Sequence, residues 1–363
     1  MASRNDTSSP IPIVDFGKFL HGSEQEKENV VKEIDDAFRN VGFVYLKNHG
    51  VAKEMVEECF EWSKKFFALP LESKMLAPHP PGGSHHRGYS APGVEKVSQH
   101  KYDADEISKL REIPDLKESY ESGNPTDQTQ PNIWLPESKL PGFRTFLESY
   151  FAVCAALVHR ILDALSAALQ VPEPGLSPTH EKSLFQLRLL HYPAEDDAEP
   201  LRAHKRSRIT AHSDFGSLTL LFQDSVGGLE VEDPNAPGQF RPAPPIQDAV
   251  LVNIGDLMAR WSNDRWRSTV HRVGLPPDVP ATEKPFSGPG LGVNTEGQRM
   301  PKVAEAEKIV PDRYSIPFFA VPDMDTVIDA LPGCWDEESN PKKYEPVTAW
   351  GYVQMRMAAL YDS

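Results

Sequence analysis

The stretch ITAHSDFGSLTLLFQD, residues 209–224, places polar side chains inside a run of apolar residues that favour β-structure. His212 and Asp214 stand two positions apart, and successive side chains of a strand point to opposite faces. An imidazole and a carboxylate therefore share one face of the predicted strand. The pattern indicates either a pair of metal ligands or a buried hydrogen bond.

A third candidate ligand, His271, lies in a second β-favouring run, RWRSTVHRV (residues 265–273). Strands that are distant in sequence can be neighbours in a closed sheet. Two imidazoles and one carboxylate on one face of an octahedral metal leave the opposite face open, which suits iron(II) that must also bind a cosubstrate and dioxygen. Zinc would favour a tetrahedral site with one open position, and the residue types alone do not exclude zinc.

The run RYSIPFF, residues 313–319, supplies a third motif. Arg313 and Ser315 share a strand face by the same rule, and a guanidinium beside a hydroxyl is suited to bind a carboxylate. In a protein with a net charge of −15, a buried anionic ligand needs a dedicated cation close to it. We therefore expect a carboxylate site here; the alternative is a surface arginine that flanks a core strand.

Composition narrows the class of protein. The chain has 363 residues, 39% of them hydrophobic, which is enough to bury a large core as one domain or two closely packed ones. Its acidic balance repels phosphates and argues against a broad nucleic-acid or anionic-membrane surface. Phosphate-loop and nucleophile-elbow motifs are absent, which excludes nucleotide and serine hydrolysis. We expect a small-molecule partner, and the sequence leaves the oligomeric state open.

The sequence predicts a cytoplasmic location. Three widely separated cysteines fit a reducing compartment without a disulfide framework, and the start MASRNDTSSPIP has no apolar signal segment. The most apolar stretch, FLESYFAVCAALVHRILDALSAALQV, is interrupted by His159, Arg160 and Asp163. It is therefore predicted to be a core helix and not a membrane span.

The pattern of apolar residues along the chain changes once, from helical spacing to short β-favouring runs. Helical spacing dominates from Gly22 to about Lys74, around a short strand GFVYLKNHG, and returns from Pro141 to Val171 after a middle rich in loop residues. Short β-favouring runs follow from Ser183 onward, which favours a sandwich or a closed barrel. A Pro- and Gly-rich loop over residues 276–311 joins the run of His271 to the run of Arg313. We expect a lid over the site; the alternative is an inert surface insertion.

The ordered motifs HSD, HRV and RYS, around VNIGDLMARWSNDRWRSTVHRV, resemble those of the iron(II)- and 2-oxoglutarate-dependent dioxygenases of the isopenicillin N synthase-like family. The N-terminal half is similar to that family at IPIVDF, VGFVYLKNHGV, FFALPLESK and DLKESYESG. The resemblance implies a distorted double-stranded β-helix, or jelly roll, with supporting N-terminal helices. It further implies a helix-rich domain over residues 1–175 and a jelly-roll domain over 176–363, with the long loop and a C-terminal helix.

The resemblance also implies a role for seven residues. The metal ligands would be His212, Asp214 and His271, and the residues that hold 2-oxoglutarate would be Arg313, Ser315 and Tyr192, with the first two at its distal carboxylate. Phe319 falls where the family often lines its substrate pocket, although a core phenylalanine explains it equally well. Leu190 departs from the pattern, because many members have asparagine there.

The implied activity is the oxidation of a small organic molecule by hydroxylation, desaturation or rearrangement, in specialised metabolism, with 2-oxoglutarate and dioxygen as cosubstrates. No catalytic residue is implied beyond the metal ligands. Two alternatives remain open at this point: an iron oxidase of the same family that does not use 2-oxoglutarate, with Arg313 and Ser315 on a substrate carboxylate, and a binding protein without turnover.

Other histidines carry weaker signals. His79, His85 and His86 cluster in HPPGGSHHRGY, but no acidic or cysteine ligand stands at a usual spacing, so we expect no second metal there. His191 and His204 flank the predicted barrel strands and are expected to face solvent or to be satisfied in the core. The basic run LRAHKRSR is predicted to be a solvated loop.

Overall fold

The computed structural model describes residues 11–81, 85–93, 115–202, 207–276 and 310–361. The helices are α1 (Gly17–His21), α2 (Glu24–Asn40), α3 (Lys53–Phe67), α4 (Leu71–Lys74), α5 (Phe143–Leu169), α6 (Glu199–Arg202), α7 (Asp256–Trp261) and α8 (Ala349–Tyr361). The strands are β1 (Ile13–Asp15), β2 (Phe43–Lys47), β3 (Gly88–Ser90), β4 (Glu118–Gly123), β5 (Gln186–Tyr192), β6 (Ile209–His212), β7 (Leu218–Gln223), β8 (Leu229–Glu232), β9 (Phe240–Pro242), β10 (Ala249–Ile254), β11 (His271–Val273), β12 (Arg313–Ala320), β13 (Val327–Ile328) and β14 (Val347–Thr348).

Within the described ranges, eight strands form a major sheet in the order β1-β2-β10-β7-β12-β5-β4-β3. Four others form a minor sheet in the order β6-β11-β8-β9. From β5 to β12 the chain alternates between the two sheets, with β5, β7, β10 and β12 in the major sheet and the strands between them in the minor one. This alternation is the connectivity of a double-stranded β-helix, so the predicted jelly-roll fold is confirmed.

The β-favouring runs after Ser183 form strands where the sequence predicts them. Strand β4, in contrast, lies in the middle segment that was predicted to be rich in loops, so that prediction is wrong there. Its sequence ESYESG has no apolar alternation, yet all of it is buried because β3 and β5 pair with it on either side. The domain boundary at residue 175 stays a prediction; strands β1 to β4, which precede it, pair into the major sheet.

The two faces of the major sheet have different surroundings. On β5, Leu187 and Leu189 belong to the large hydrophobic core, whereas Leu190 and Tyr192 belong to a smaller core between the two sheets. Alternate side chains of a strand point to opposite faces, so the even-numbered residues of β5 face the barrel interior. Functional side chains that share this inner face can therefore meet inside the barrel.

Helix α5 fills the large core beside the outer face of the major sheet. By length and composition it could cross a membrane, but 56% of its most apolar window is buried within the protein. Its buried positions include Leu147, Tyr150, Cys154, Val158 and Ile161, which follow helical spacing. The structure thus places this stretch in the core, as the sequence predicts. Most of the long loop, residues 277–309, lies outside the described residues, so its role as a lid stays a prediction.

Asp35 on α2 joins the N-terminal helices to the segment that leads to His271. Its carboxylate accepts hydrogen bonds from Trp266 Nε1 at 2.8 Å, from Arg265 Nη2 at 3.0 Å and from Arg39 Nε at 2.8 Å. Burial raises the pKa of the Asp35 carboxyl, but the hydrogen bonds from Arg265, Arg39 and Trp266 outweigh burial and hold the pKa below its ordinary value.

We expect Asp35→Ala to lower the free energy of unfolding by about 2–3 kcal/mol, because it leaves the buried Trp266 N–H without an acceptor and removes the carboxylate partner of Arg265. A carboxyl whose pKa is depressed by folding stabilises the protein above its unfolded pKa, and that contribution is lost as the pH falls through the folded value. The difference between wild type and variant should therefore shrink as the pH falls below about 4.

Urea unfolding at several pH values measures this difference. The control is Asp36→Ala, which removes only an exposed ion pair with Lys32 and should change stability by less than about 0.5 kcal/mol. Equal effects of the two substitutions would contradict the role given to Asp35.

Candidate active site

Strand pairing brings the three predicted metal ligands together. His212 ends β6 and His271 begins β11, and these residues stand directly opposite each other in the antiparallel pair. Asp214 Oδ1 lies 3.9 Å from His212 Nε2 and 3.8 Å from His271 Nε2. All three side chains are buried. Residues that are far apart in the sequence thus form one cluster of two imidazoles and one carboxylate.

The second nitrogen of each imidazole shows which tautomer is present. His212 Nδ1 is 2.8 Å from the carbonyl oxygen of Thr210, and His271 Nδ1 is 3.2 Å from that of Thr269. A carbonyl oxygen only accepts, so both Nδ1 atoms carry the hydrogen and donate it. A metal needs both rings in the neutral form, and in that form both Nε2 atoms present lone pairs toward Asp214.

The carboxylate of Asp214 is held by one of its two oxygens. Oδ2 accepts hydrogen bonds from Thr219 Oγ1 at 2.6 Å and from Asn253 Nδ2 at 2.7 Å. These two donors leave Oδ1 directed toward the histidines. Second-sphere contacts of this kind commonly orient metal ligands in proteins.

The protonation states suit a metal. Burial lowers the pKa of His212 to about 3, which keeps the ring in its neutral, coordinating form. Burial raises the pKa of the Asp214 carboxyl, but the His271 and His212 rings and the hydrogen bonds from Asn253 and Thr219 outweigh burial and lower it. A carboxylate oxygen and two nitrogen lone pairs then face one point, where they repel one another unless a cation stands between them. The donor set fits iron(II).

Arg313 is fixed inside the barrel by three acceptors. Its Nε donates to the carbonyl oxygen of Gly227 at 2.9 Å, Nη1 to Ser315 Oγ at 3.2 Å and Nη2 to Gln223 Oε1 at 3.2 Å. Arg313 and Ser315 are each 1% exposed. All three acceptors are uncharged, so the described residues that hold the guanidinium do not neutralise it. A buried, fixed cation beside a hydroxyl is suited to bind a carboxylate.

Tyr192 and Leu190 lie next to this cation on β5. Tyr192 stands opposite Arg313 in the sheet register, and the Arg313 guanidinium carbon lies 4.9 Å from the centroid of its ring. Leu190 stands opposite Ser315 and is buried. The structure therefore brings Tyr192 to the predicted cosubstrate site, and it places an apolar side chain where many family members have an amide.

Phe319 on β12 lies next to a residue that holds the predicted ligand Asp214. It stands opposite Thr219 in the sheet register, and the Thr219 hydroxyl donates to Asp214. Its side chain is half-buried and lies on the same sheet face as Arg313 and Ser315. This location suits a wall of the substrate pocket, and the role of Phe319 stays a prediction.

A second polar group occupies the inner face of β4 and β5. Glu121 stands opposite Arg188, with Oε1 2.9 Å from Arg188 Nε, and its Oε2 lies 3.7 Å from His86 Nδ1 and 4.0 Å from His79 Nε2. The fold thus supplies the acidic residue that the histidine-rich loop lacks in sequence. Arg188 already neutralises Glu121, and a guanidinium would repel a divalent ion at this place. The absence of a second metal at this place stays a prediction.

His191 is satisfied inside the protein. Its Nδ1 lies 2.8 Å from Glu118 Oε1, its Nε2 lies 2.8 Å from Asp312 Oδ1, and its ring stacks on Tyr314 with centroids 4.6 Å apart. His204 and the centre of the basic run lie outside the described residues. Leu201 and Arg208, at the two ends of the run, are buried, so the prediction of a solvated loop is wrong there.

The sequence did not single out the residues that orient the ligands. Asn253 is the only polar residue in the buried strand AVLVNI, and this isolated amide is a signal that could have identified it. Thr219 carries no such signal, because threonine is common in strands. Gln223 reaches Arg313 through the pairing of β7 with β12, and Gly227 lies in the turn after β7. Local sequence does not specify either contact.

Two family models match the chain. Residues 11–137 match the non-haem dioxygenase in morphine synthesis N-terminal family, and residues 184–322 match the 2OG-Fe(II) oxygenase superfamily. Together the two matched ranges cover most of the chain and contain all seven residues assigned a role by the resemblance.

Curated relatives and solved structures agree with these matches. A 2-oxoglutarate-dependent dioxygenase, frbA, of Dothideomycetidae sp. is 37% identical over 97% of both chains. A proline hydroxylase, buaE, of Petromyces alliaceus is 37% identical over 96% of this chain and 98% of its own length. The crystal structure of Neurospora crassa T7H in complex with alpha-KG and thymine superposes with a TM-score of 0.80 at 39% identity, over 99% of this chain and 100% of that one.

Proposed function

Because the chain belongs to the iron(II)- and 2-oxoglutarate-dependent oxygenases, we propose that His212, Asp214 and His271 bind its iron(II). The protein is an oxidoreductase of a small organic molecule, with iron(II) as cofactor and 2-oxoglutarate as cosubstrate. The alternative of an oxidase that works without 2-oxoglutarate loses its support, since relatives are named for that cosubstrate. The observation that carries the assignment is the convergence of two imidazole lone pairs and Asp214 Oδ1 on one point.

Bound iron(II) supplies the ability to activate dioxygen with electrons from 2-oxoglutarate, which is converted to succinate and carbon dioxide, and to oxidise a nearby substrate carbon. The protein's own groups orient the reactants. Thr219 and Asn253 hold Asp214 so that one oxygen stays directed at the cluster. The buried walls around the ligands keep water away, which preserves the strength of these electrostatic contacts.

We place the distal carboxylate of 2-oxoglutarate at Arg313 and Ser315, beside Tyr192. Ser315 Oγ accepts a hydrogen bond from Arg313, so its own hydroxyl hydrogen can be donated to a ligand. The fixed guanidinium, which has no charged partner among its three acceptors, supplies the charge.

Phe319 and the Arg188–Glu121 pair supply an aromatic and a polar wall on the same inner face, which supports a small substrate with a polar group. Solved and named relatives act on or hold molecules of this kind: one is named for proline hydroxylation, and one crystal structure contains thymine. A role in specialised metabolism is part of this proposal, and it rests on the family resemblance.

We also propose a cytoplasmic location. All three cysteines, Cys59, Cys154 and Cys334, are free and buried, which fits a reducing compartment. Microscopy of a tagged chain tests this proposal, and signal in a secretory compartment would contradict it.

We expect His212→Ala and Asp214→Ala to lose stoichiometric iron binding and turnover, because each substitution removes one of three ligands. Metal analysis of the protein and succinate formation measure the two losses. His21→Ala, an exposed histidine on α1, is the matched control and should keep both properties. Retention of one iron per chain and of activity in both ligand variants would show that the metal lies elsewhere.

We expect Arg313→Ala to weaken binding of 2-oxoglutarate by roughly 30-fold or more, since a buried charged partner typically contributes about 2–5 kcal/mol. Arg313→Lys should restore part of the affinity, because a point charge does not reproduce the planar guanidinium. Anaerobic titration of the ferrous protein measures both constants. Unchanged affinity in a stably folded Arg313→Ala protein would rule out this role.

A further inference from the structure

A second buried arginine lies beside the proposed 2-oxoglutarate clamp. Arg208 immediately precedes β6 and is 1% exposed. Its guanidinium carbon lies 5.9 Å from the centroid of the Tyr192 ring, and that of Arg313 lies 4.9 Å from the same centroid. Two guanidinium groups therefore pack against one aromatic ring inside the protein.

The hydrogen bonds of Arg208 are incomplete. Its Nη2 donates to the carbonyl oxygen of Pro311, but its Nε and Nη1 are buried and have no hydrogen-bond acceptor among the described residues. Arginine with its planar fork of donors rarely stays buried without acceptors for them. The structure thus shows N–H groups that are removed from water and point to no protein acceptor in the described ranges.

The charge of Arg208 is also uncompensated. Burial and, after it, the nearby positive charge of Arg313 lower the pKa of Arg208 to about 10. A guanidinium with this pKa is still a cation at neutral pH. Within the described part of the chain, no carboxylate lies at ion-pair distance from it; Asp224 and Asp312 act only from farther away. Two like charges buried together are unfavourable without an anion between or beside them.

The position of Arg208 just before β6 indicates which end of a cosubstrate it can reach. It precedes the metal ligand His212 by four residues, which is roughly 13 Å of extended chain. Arg313 likewise lies six residues from Phe319, the residue opposite Thr219 beside the metal ligands. Both arginines therefore belong to the end of the barrel away from the ligand cluster. A cosubstrate that reaches the metal by its keto-acid end directs its other carboxylate toward this end.

We propose that Arg208 is a second cation of the 2-oxoglutarate site and that its Nε and Nη1 groups bind the distal carboxylate together with Arg313 and Ser315. This inference rests on the proposed function, because it needs 2-oxoglutarate to be oriented as described there. The distal carboxylate would then contact two arginines, of which the RYS motif supplies only Arg313. The cosubstrate would then complete the hydrogen bonds and the charge balance of Arg208.

The test compares two oxo acids that differ only at the distal end: 2-oxoglutarate, and 2-oxopentanoate, which lacks the distal carboxylate. Binding to the Mn(II)-loaded protein is measured by calorimetry, so turnover is not needed. Arg208→Met should weaken the binding of 2-oxoglutarate by about tenfold or more and leave the binding of 2-oxopentanoate unchanged. The affinity of Arg208→Lys for 2-oxoglutarate should lie between those of the wild type and Arg208→Met. The matched control is Arg241→Met on β9, which should bind both oxo acids as the wild type does.

The ligand-free protein supplies a second measurement. Removal of an unpaired buried charge should not lower its melting temperature, whereas the increase in melting temperature on adding 2-oxoglutarate should shrink. Unchanged 2-oxoglutarate affinity in Arg208→Met, or an equal loss for both oxo acids, would overturn the inference. If Arg313→Met selectively weakens the binding of 2-oxoglutarate and Arg208→Met does not, only the inference on Arg208 fails. If neither substitution changes the affinity for 2-oxoglutarate, both the inference on Arg208 and the proposed cosubstrate site fail.

Discussion

Asp214 has two oxygens with different tasks, and the organisation of the site depends on that division. Thr219 and Asn253, on neighbouring strands of the major sheet, hold one oxygen, and the other faces two histidines that belong to the minor sheet. The carboxylate therefore connects the two sheets at the proposed metal site. Because like partial charges meet there, a cation between the three ligand atoms would stabilise the cluster. The metal site and the closure of the barrel are thus parts of one arrangement.

The alternation of side chains along each strand explains how one sheet serves both stability and chemistry. On β12, Ile316 and Phe318 face the large core with α5, whereas Arg313 and Ser315 face the interior. A shift of the strand register by one residue would exchange the two faces of β12 and bury the charged guanidinium of Arg313 against α5. The apolar positions therefore fix the direction in which Arg313 and Ser315 point. The same reasoning applies to β5, where Tyr192 reaches the interior because Leu189 is in the core.

Local sequence carried much of this information. The i, i+2 spacing of His212 with Asp214 and of Arg313 with Ser315 could be interpreted without a structure, since strand geometry fixes which residues share a face. The direct pairing of His212 with His271 could not be predicted, because register across distant strands depends on the whole barrel.

Strand β4 was not predicted because its polar residues are buried by pairing and by Arg188, not by apolar alternation. Arg208 was placed in a basic run predicted to be solvated, and only the tertiary structure shows that it is buried.

The central claim is that one buried site holds iron(II) and 2-oxoglutarate together. The most direct measurement is the visible spectrum of the anaerobic ferrous protein as 2-oxoglutarate is added, because a keto acid chelated to iron(II) gives a weak charge-transfer band. We predict that this band develops to saturation at one 2-oxoglutarate per iron and that Zn(II) in place of iron(II) abolishes it. A ferrous protein that shows no band at saturating 2-oxoglutarate would contradict the account.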